Sequence, residues 1–194
     1  MNRADWDSLP IQLKRQEWRV KLHKLSYSSE HRASCLPAGT PGGEIEALDF
    51  DSVKEYWYGR QFRNQVKSAD ALYVNSGKWY LVEFKYGSAH AHDVIKKYYD
   101  SIVGLVEHGC LTWDECLEKL TLILVAKNAG RIAGYDIGAK SGASHSPVWR
   151  CLASDVSNMD VNNDCRIQLA HYVQSSIVMT IDDFVAFVVS EGWR

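Results

Sequence analysis

Two carboxylates and an ammonium group could do chemistry together in this chain. Asp70, Glu83 and Lys85 lie within residues 67–87, a segment otherwise rich in β-branched and aromatic side chains. Carboxylate oxygens are the ligands that hard divalent cations such as Mg²⁺, Mn²⁺ and Ca²⁺ prefer. A lysine beside such an ion could orient a water molecule or stabilise negative charge that develops on a phosphate. These residue types therefore indicate metal-assisted attack on a phosphate group.

A β-hairpin is predicted to bring the three side chains together. Two apolar runs, residues 69–74 and 79–84, flank a short turn. Whether the loop has two residues or four, the register is the same and places Asp70 opposite Glu83. Lys85 comes two places after Glu83 and therefore shares its face of the strand. Since like charges that face each other destabilise a sheet, a cation is expected between the two carboxylates.

A solvent-exposed edge strand is the alternative interpretation of the same residues. Glu83 and Lys85 would then be a surface pair, and Asp70 would cap a turn at the start of its strand. The runs around them are apolar on both faces, however, which favours a strand inside a sheet that is covered on both sides.

The same residues resemble a known nuclease core. Asp70, followed after twelve residues by Glu83-Phe84-Lys85, resembles the pattern of the PD-(D/E)xK nuclease superfamily, which has the restriction-endonuclease-like fold; Ala69 stands where the pattern has proline. The sequence ADALYV…YLVEFKYG, together with KKYYDSIVGL on the following helix, is similar to that of a group of bacterial proteins of unassigned role. The resemblance covers about residues 67–106, and a fainter one lies near the C-terminus.

The resemblance implies a metal-dependent nuclease that hydrolyses phosphodiester bonds of nucleic acid, with DNA as the expected substrate. Asp70 and Glu83 would hold one or two Mg²⁺ or Mn²⁺ ions, together with the backbone carbonyl of Phe84. Lys85 would position or activate the attacking water. Lys97, on the helix that follows, is a lesser candidate for contact with the substrate.

Nucleases of this superfamily often have a further acidic residue near the metal, on a helix that precedes the core sheet. The candidates here are Glu44, Glu46, Glu55 and, farther back, Glu30. Glu46 is the predicted site residue because it lies in an apolar setting, whereas Glu55 is already explained by a capping box.

The elements around the hairpin predict an α/β fold with a mixed central sheet flanked by helices, a restriction-endonuclease-like core. Apolar spacing and capping signals give the elements before and after the hairpin. They are an amphipathic helix at 11–25, a helix from Asp51 capped by Asp51 or Ser52, a helix at 88–108, a helix opened by Thr112 and Glu115, a buried strand at 120–125, a short strand at 177–179 and a final helix capped by Thr180.

The length of 194 residues is most simply one domain, 1–194. Its parts would be N-terminal helices and a loop in 1–66, the catalytic core in 67–126, and a loop followed by strands and helices in 127–194. A glycine-rich loop at 127–147, a strand at 148–153 and a helix at 165–174 are expected within the last part.

Composition restricts the function classes. The net charge is −2, so the chain has no overall basic field of the kind that marks nucleic-acid binders. Residues 11–32 do contain six Lys or Arg against two Glu, a surplus that is either a solvated face or a contact with a phosphate backbone. The sequence has no membrane-spanning stretch and no apolar region of a signal peptide, and its five cysteines form no C-x-x-C. A cytoplasmic protein with reduced thiols is therefore expected.

Two other functions stay open. The chain could be a non-catalytic interaction domain that retains the nuclease fold, which the mild acidity favours and the intact Asp, Glu and Lys disfavour. It could also hydrolyse a small phosphorylated molecule. The sequence leaves the oligomeric state open, a homodimer included.

Overall fold

The structure, a computed structural model, describes residues 6–62, 65–86, 91–126 and 173–193 of the chain. The predicted loop at 127–147, the strand at 148–153 and most of the helix at 165–174 therefore lie outside the described residues.

Six strands of the described ranges form one mixed sheet in the order β1-β4-β5-β6-β7-β8, and two short strands, β2 and β3, pair separately. The pairs from β1 to β6 are antiparallel, and those from β6 to β8 are parallel. The strands are β1 Arg19–Lys21, β2 Tyr27–Ser28, β3 Ala33–Ser34, β4 Glu46–Asp49, β5 Ala71–Asn75, β6 Lys78–Lys85, β7 Leu120–Ala126 and β8 Ser175–Thr180.

Helices cover both faces of this sheet. The helices are α1 Leu22–Leu25, α2 Phe50–Tyr58, α3 Ala91–Glu107, α4 Trp113–Lys119 and α5 Ile181–Ser190. On one face, the hydroxyl of Tyr98 in α3 donates a hydrogen bond to the carbonyl of Ile123 in β7 (2.7 Å). On the other face, Phe184 of α5 packs edge to face on Phe84 of β6. The expected α/β fold with a mixed, helix-flanked sheet is confirmed.

The central hairpin is β5–β6, and its predicted register is confirmed. Val74 pairs with Trp79 and Asn75 with Lys78, so the loop has two residues, Ser76 and Gly77. Both have positive φ, 52° and 76°, which is the backbone of a type I′ turn. Every residue of β6 from 79 to 84 is buried, and β7 lies beside it. The interpretation as a solvent-exposed edge strand is therefore wrong.

The predicted helix at 11–25 is wrong. This stretch contains two 3-10 turns, strand β1 and the four-residue helix α1. Ile11, expected on the buried face, is 78% exposed, whereas Leu13 is fully buried. Antiparallel pairing of β1 with β4 requires an extended backbone, so tertiary contacts override the helical spacing.

Capping predictions were right at two helices and wrong at a third. Thr112 forms the capping box with Glu115, and the Thr180 hydroxyl accepts a hydrogen bond from the Asp183 amide. Helix α2, however, begins at Phe50, and its N-cap is Asp49, whose carboxylate accepts hydrogen bonds from the amide and hydroxyl of Ser52. Asp49 satisfies the first-turn donors, which leaves Asp51 available for other contacts.

Cysteines in the described ranges behave as small buried apolar residues. Cys35, Cys110 and Cys116 are all buried, and burial raises the pKa of the Cys110 thiol to about 12. Cys151 and Cys165 lie outside the described residues. None of the helices in those ranges has the length and apolar character that crossing a membrane would require.

Gly43 is the position where the fold most clearly requires glycine. A Cβ there would lie 2.4 Å from the Pro37 carbonyl oxygen, whereas a Cβ on Gly42 would lie 3.2 Å from a methyl group of Val185, which can shift. We expect Gly43→Ala to lower the free energy of unfolding by about 1–3 kcal/mol, and Gly42→Ala to lower it less. Urea denaturation of both variants measures the difference; equal stabilities would contradict this account of Gly43.

Candidate active site

Glu83 is the most deeply buried charge of the described residues, with no exposed side-chain surface. It lies near the C-terminal end of β6, where Leu81 and Glu83 point toward α3 while Phe84 points toward α5. This alternation follows from the two-residue period of the strand. A buried carboxylate without partners would be strongly destabilising, so its neighbours define the site.

Asp70 immediately precedes β5 and lies beside Glu83, as the hairpin register predicted. Its Oδ2 accepts a hydrogen bond from the backbone amide of Phe84 (2.7 Å), and its Oδ1 accepts one from Nζ of Lys97 (3.0 Å). The amide contact ties Asp70 to the neighbouring strand. Its carboxylate is therefore held in place by the backbone rather than left free in solvent.

Two lysines neutralise these carboxylates. Nζ of Lys97 lies 2.7 Å and 2.9 Å from the two carboxylate oxygens of Glu83, in addition to its contact with Asp70. Nζ of Lys85 lies 2.9 Å from Oε1 of Glu83. The predicted proximity of Asp70, Glu83 and Lys85 is therefore observed, and Lys97 joins them.

The pKa values reflect this crowding. Burial and the negative charge of Glu83 raise the pKa of Asp70 to about 7, against the opposing effect of Lys97 and of the Phe84 amide. Burial alone would lower the pKa of Lys97, but the charges of Asp70 and Glu83 outweigh it, and the pKa lies above its ordinary value. The charge of Glu83 therefore raises the cost of ionising Asp70, and a cation between the two carboxylates relieves that cost.

Asp51 is a further carboxylate close to the cluster of Asp70, Glu83, Lys85 and Lys97. It lies in the first turn of α2 and accepts hydrogen bonds from the Lys54 ammonium and the Ser68 hydroxyl. Burial raises the pKa of Asp51, but these two hydrogen bonds and the charge of Lys97 bring it below the ordinary value. Asp51 is thus the acidic residue of an upstream helix that lies within electrostatic reach of Lys97.

Glu46, the predicted further acidic residue, does not join the site. It is exposed on β4, where it lies opposite Lys21 of β1 in the antiparallel register. Phe50, four positions later, is the residue whose amide bonds to the Asp70 carbonyl, so Glu46 lies about 13 Å farther along the sheet. The prediction relied on the apolar neighbours of Glu46, but Glu46 lies exposed at the end of β4 that is far from the carboxylates.

An open cleft of about 400 Å³ gives access to the four charged residues. It is lined by strand β2 and the turn that follows it, which includes Glu30 and His31, and by Asp70, Lys97 and the end of β6. The ring of His31 stacks on that of Tyr86, with centroids 4.8 Å apart. Glu30, the most distant of the acidic candidates in the sequence, is therefore the one that lines this cleft.

Lys97 is the residue whose importance the sequence understated. It is predicted as a lesser substrate contact, yet the structure places it between the two carboxylates. One signal was available in the sequence, because Lys97 lies three residues after Val94 and eight before Leu105, two apolar residues at helical spacing that α3 buries. This spacing puts Lys97 on the helix face that meets the sheet.

The chemistry of these donors fits a divalent cation. Three carboxylate oxygens already surround one positively charged atom, Nζ of Lys97, at 2.7–3.0 Å. Within the described part of the chain, however, no group of three or more His, Cys, Asp or Glu side chains is placed to hold a metal. A metal would therefore need further ligands such as the predicted Phe84 carbonyl, substrate oxygens or water.

Comparison of the chain with protein-family models, with curated proteins and with solved structures found no match in any of the three. The resemblance to the PD-(D/E)xK superfamily therefore stays a prediction.

Proposed function

We propose that the protein is a metal-dependent nuclease that hydrolyses phosphodiester bonds, with DNA as the expected substrate. The central observation is that three carboxylate oxygens of Asp70 and Glu83 surround a single positive charge, the ammonium of Lys97, and that Lys85 lies beside them. A cleft open to a substrate reaches this point. This combination agrees with what the PD-(D/E)xK resemblance of the sequence implies.

Asp70 and Glu83 would hold Mg²⁺ or Mn²⁺, and the backbone carbonyl of Phe84 is the proposed third ligand. A bound ion would stabilise negative charge on phosphate oxygens and make water a better nucleophile. Asp70 is suited to this role because the Phe84 amide fixes its carboxylate. Glu83 is suited because its burial removes competition from bulk water.

Lys85 would act on the phosphate or on the attacking water. Its ammonium contacts Glu83 and its side chain is 23% exposed within the cleft, so it can reach both the carboxylate and a bound substrate. A lysine in this position can donate a hydrogen bond to a developing phosphate charge or orient a water molecule. This assigns Lys85 to the chemistry and Asp70 and Glu83 to holding the metal.

Contacts with the rest of a nucleic acid would come from the rim of the cleft. The stacked rings of His31 and Tyr86 offer an aromatic surface near the site, and bases stack on such surfaces. Three of the basic side chains in residues 11–32 make contacts within the protein and not with the cleft. Arg15 lies over Tyr56, Arg19 lies over Trp6, and Lys21 pairs with Glu44.

Metal dependence tests the proposal. We expect the wild type to cleave plasmid, linear duplex or single-stranded substrates with Mg²⁺ or Mn²⁺, and to lose cleavage with a chelator. Asp70→Asn should abolish both cleavage and Mn²⁺ binding in calorimetry, because it removes one of the two charged ligands. Asp114→Asn, an exposed control with the same chemical change, should do neither. Nucleotides in the same panel would reveal a small-molecule substrate.

A non-catalytic interaction domain is the second candidate, and the ion pairing of the site favours it. The two carboxylates face two ammonium groups, so the cluster is electrically balanced without a metal. This candidate would be supported if the wild type gave no heat of Mn²⁺ binding in calorimetry and melted at the same temperature with metal and with chelator. The same results would contradict the proposal of a metal-dependent nuclease.

A further inference from the structure

Lys97 occupies the place where a metal between the two carboxylates would lie. Its ammonium makes three contacts with carboxylate oxygens, two to Glu83 and one to Asp70, all between 2.7 and 3.0 Å. These are the oxygens that the proposed function assigns to Mg²⁺ or Mn²⁺. One carboxylate oxygen cannot make its closest contact with an ammonium and with a divalent ion in the same direction.

The backbone at Lys97 is held by contacts of its own helix turn that do not involve its ammonium group. The Ser101 hydroxyl donates to the Lys97 carbonyl (2.7 Å) and accepts from the Ala69 amide (2.9 Å), which joins α3 to the start of β5. The Tyr98 hydroxyl ties the same turn of α3 to β7. The Lys97 side chain, in contrast, is 23% exposed and lines the cleft. Its flexible stem therefore gives the ammonium a route into solvent without movement of the helix.

Charge balance strengthens the conflict between the two cations. Asp70, Glu83, Lys85 and Lys97 together carry two negative and two positive charges in their ionised forms. A divalent ion added to this group would face two ammonium groups at short range, and like charges in a buried site disfavour one another. Movement of the Lys97 ammonium away from the carboxylates would remove the repulsion between this ammonium and the bound divalent ion.

We propose that Lys97 is an internal counter-ion that competes with the divalent metal for Asp70 and Glu83. In the absence of metal it neutralises the carboxylates and stabilises the fold; when metal binds, the ammonium swings out of the pair into the cleft. This inference rests on the proposed function, because it assumes that the two carboxylates bind a metal. It adds that the affinity for metal is set by a residue that is not a ligand.

Mn²⁺ calorimetry on Lys97→Met tests the inference, with Lys96→Met as the matched control. Lys96 is the neighbouring residue of α3, and its ammonium pairs with Asp100 rather than with the site. We expect Lys97→Met to bind Mn²⁺ more tightly than the wild type by about tenfold or more, the order expected when one contacting charge is removed. Lys96→Met should bind as the wild type does.

Thermal melting gives a second readout. In chelator, Lys97→Met should melt below the wild type because two buried carboxylates lose their shared partner, and Mn²⁺ should restore its stability. Lys96→Met should show no such rescue beyond that of the wild type. If Lys97→Met does not fold in chelator, Lys97→Gln is the second variant. Folding of either variant in Mn²⁺ alone supports the competition, and failure of both to fold even in Mn²⁺ overturns it.

The outcomes separate the inference from the proposed function. Equal Mn²⁺ affinity in Lys97→Met and the wild type, with binding lost in Asp70→Asn, overturns the competition and leaves the metal site intact. No Mn²⁺ binding by any of these proteins overturns the proposed function, and the inference fails with it.

Discussion

Replacement of Lys85 by methionine is expected to lower the rate of phosphodiester cleavage by about 10³-fold, the loss typical of a charged group that acts on the transition state. Methionine keeps most of the aliphatic stem, so the packing of β6 should be preserved. Lys85 is not a proposed metal ligand, and Mn²⁺ affinity should not fall. Single-turnover cleavage at saturating metal measures the effect on the chemical step.

Lys78→Met is the control for this variant. Lys78 lies at the opposite end of the same strand and pairs with Glu191, far from the cleft. It loses the same charge, and its cleavage rate should equal that of the wild type. If Lys85→Met cleaves as fast as Lys78→Met in a preparation where the wild-type activity requires metal, Lys85 has no role in the chemistry.

Replacement of Glu83 by alanine is expected to lower the free energy of unfolding by about 3 kcal/mol in chelator. Glu83 is fully buried and contacts both lysines of the site. Its removal leaves Lys97 with only Asp70, leaves Lys85 without this pair, and opens a cavity under α3. Urea denaturation monitored by the tryptophan fluorescence of the chain measures the change.

Glu44→Ala provides the comparison, since Glu44 pairs with Lys21 at an exposed position. Exposed ion pairs contribute little to stability, so this variant should unfold close to the wild type. A double-mutant cycle of Glu83→Ala and Lys97→Met then isolates the energy of their contact. A loss below about 1 kcal/mol for Glu83→Ala would show that the buried pair contributes no more than a surface pair does.

Local patterns made the central hairpin predictable from sequence. The two apolar runs and the short turn between them fix the register, and the structure pairs Val74 with Trp79 as expected. Strand β7, the Thr112 capping box and the Thr180 cap were also predictable, because each depends on residues within a few positions of one another.

Contacts between distant segments explain what the sequence could not give. Residues 11–25 have helical spacing but contribute a strand, because β1 pairs with β4, more than twenty positions away. The same sheet pairing moves Glu46 away from the site. Lys97 reaches Glu83 only because α3 crosses the end of β6, a geometry that depends on the packing of the helix on the sheet.

The two-residue turn at Ser76 and Gly77 restricts length variation in this hairpin. If a single residue were inserted there and the turn stayed at two residues, the register of β6 against β5 would shift by one position and the two faces of β6 would be exchanged. Glu83 would then point at the aromatic layer around Phe184 of α5, and Phe84 would meet the ammonium of Lys97 on α3. Because the exchange repeats every second residue, a hairpin that keeps a two-residue turn holds the carboxylates on the side of the cleft only when its register shifts by an even number of residues.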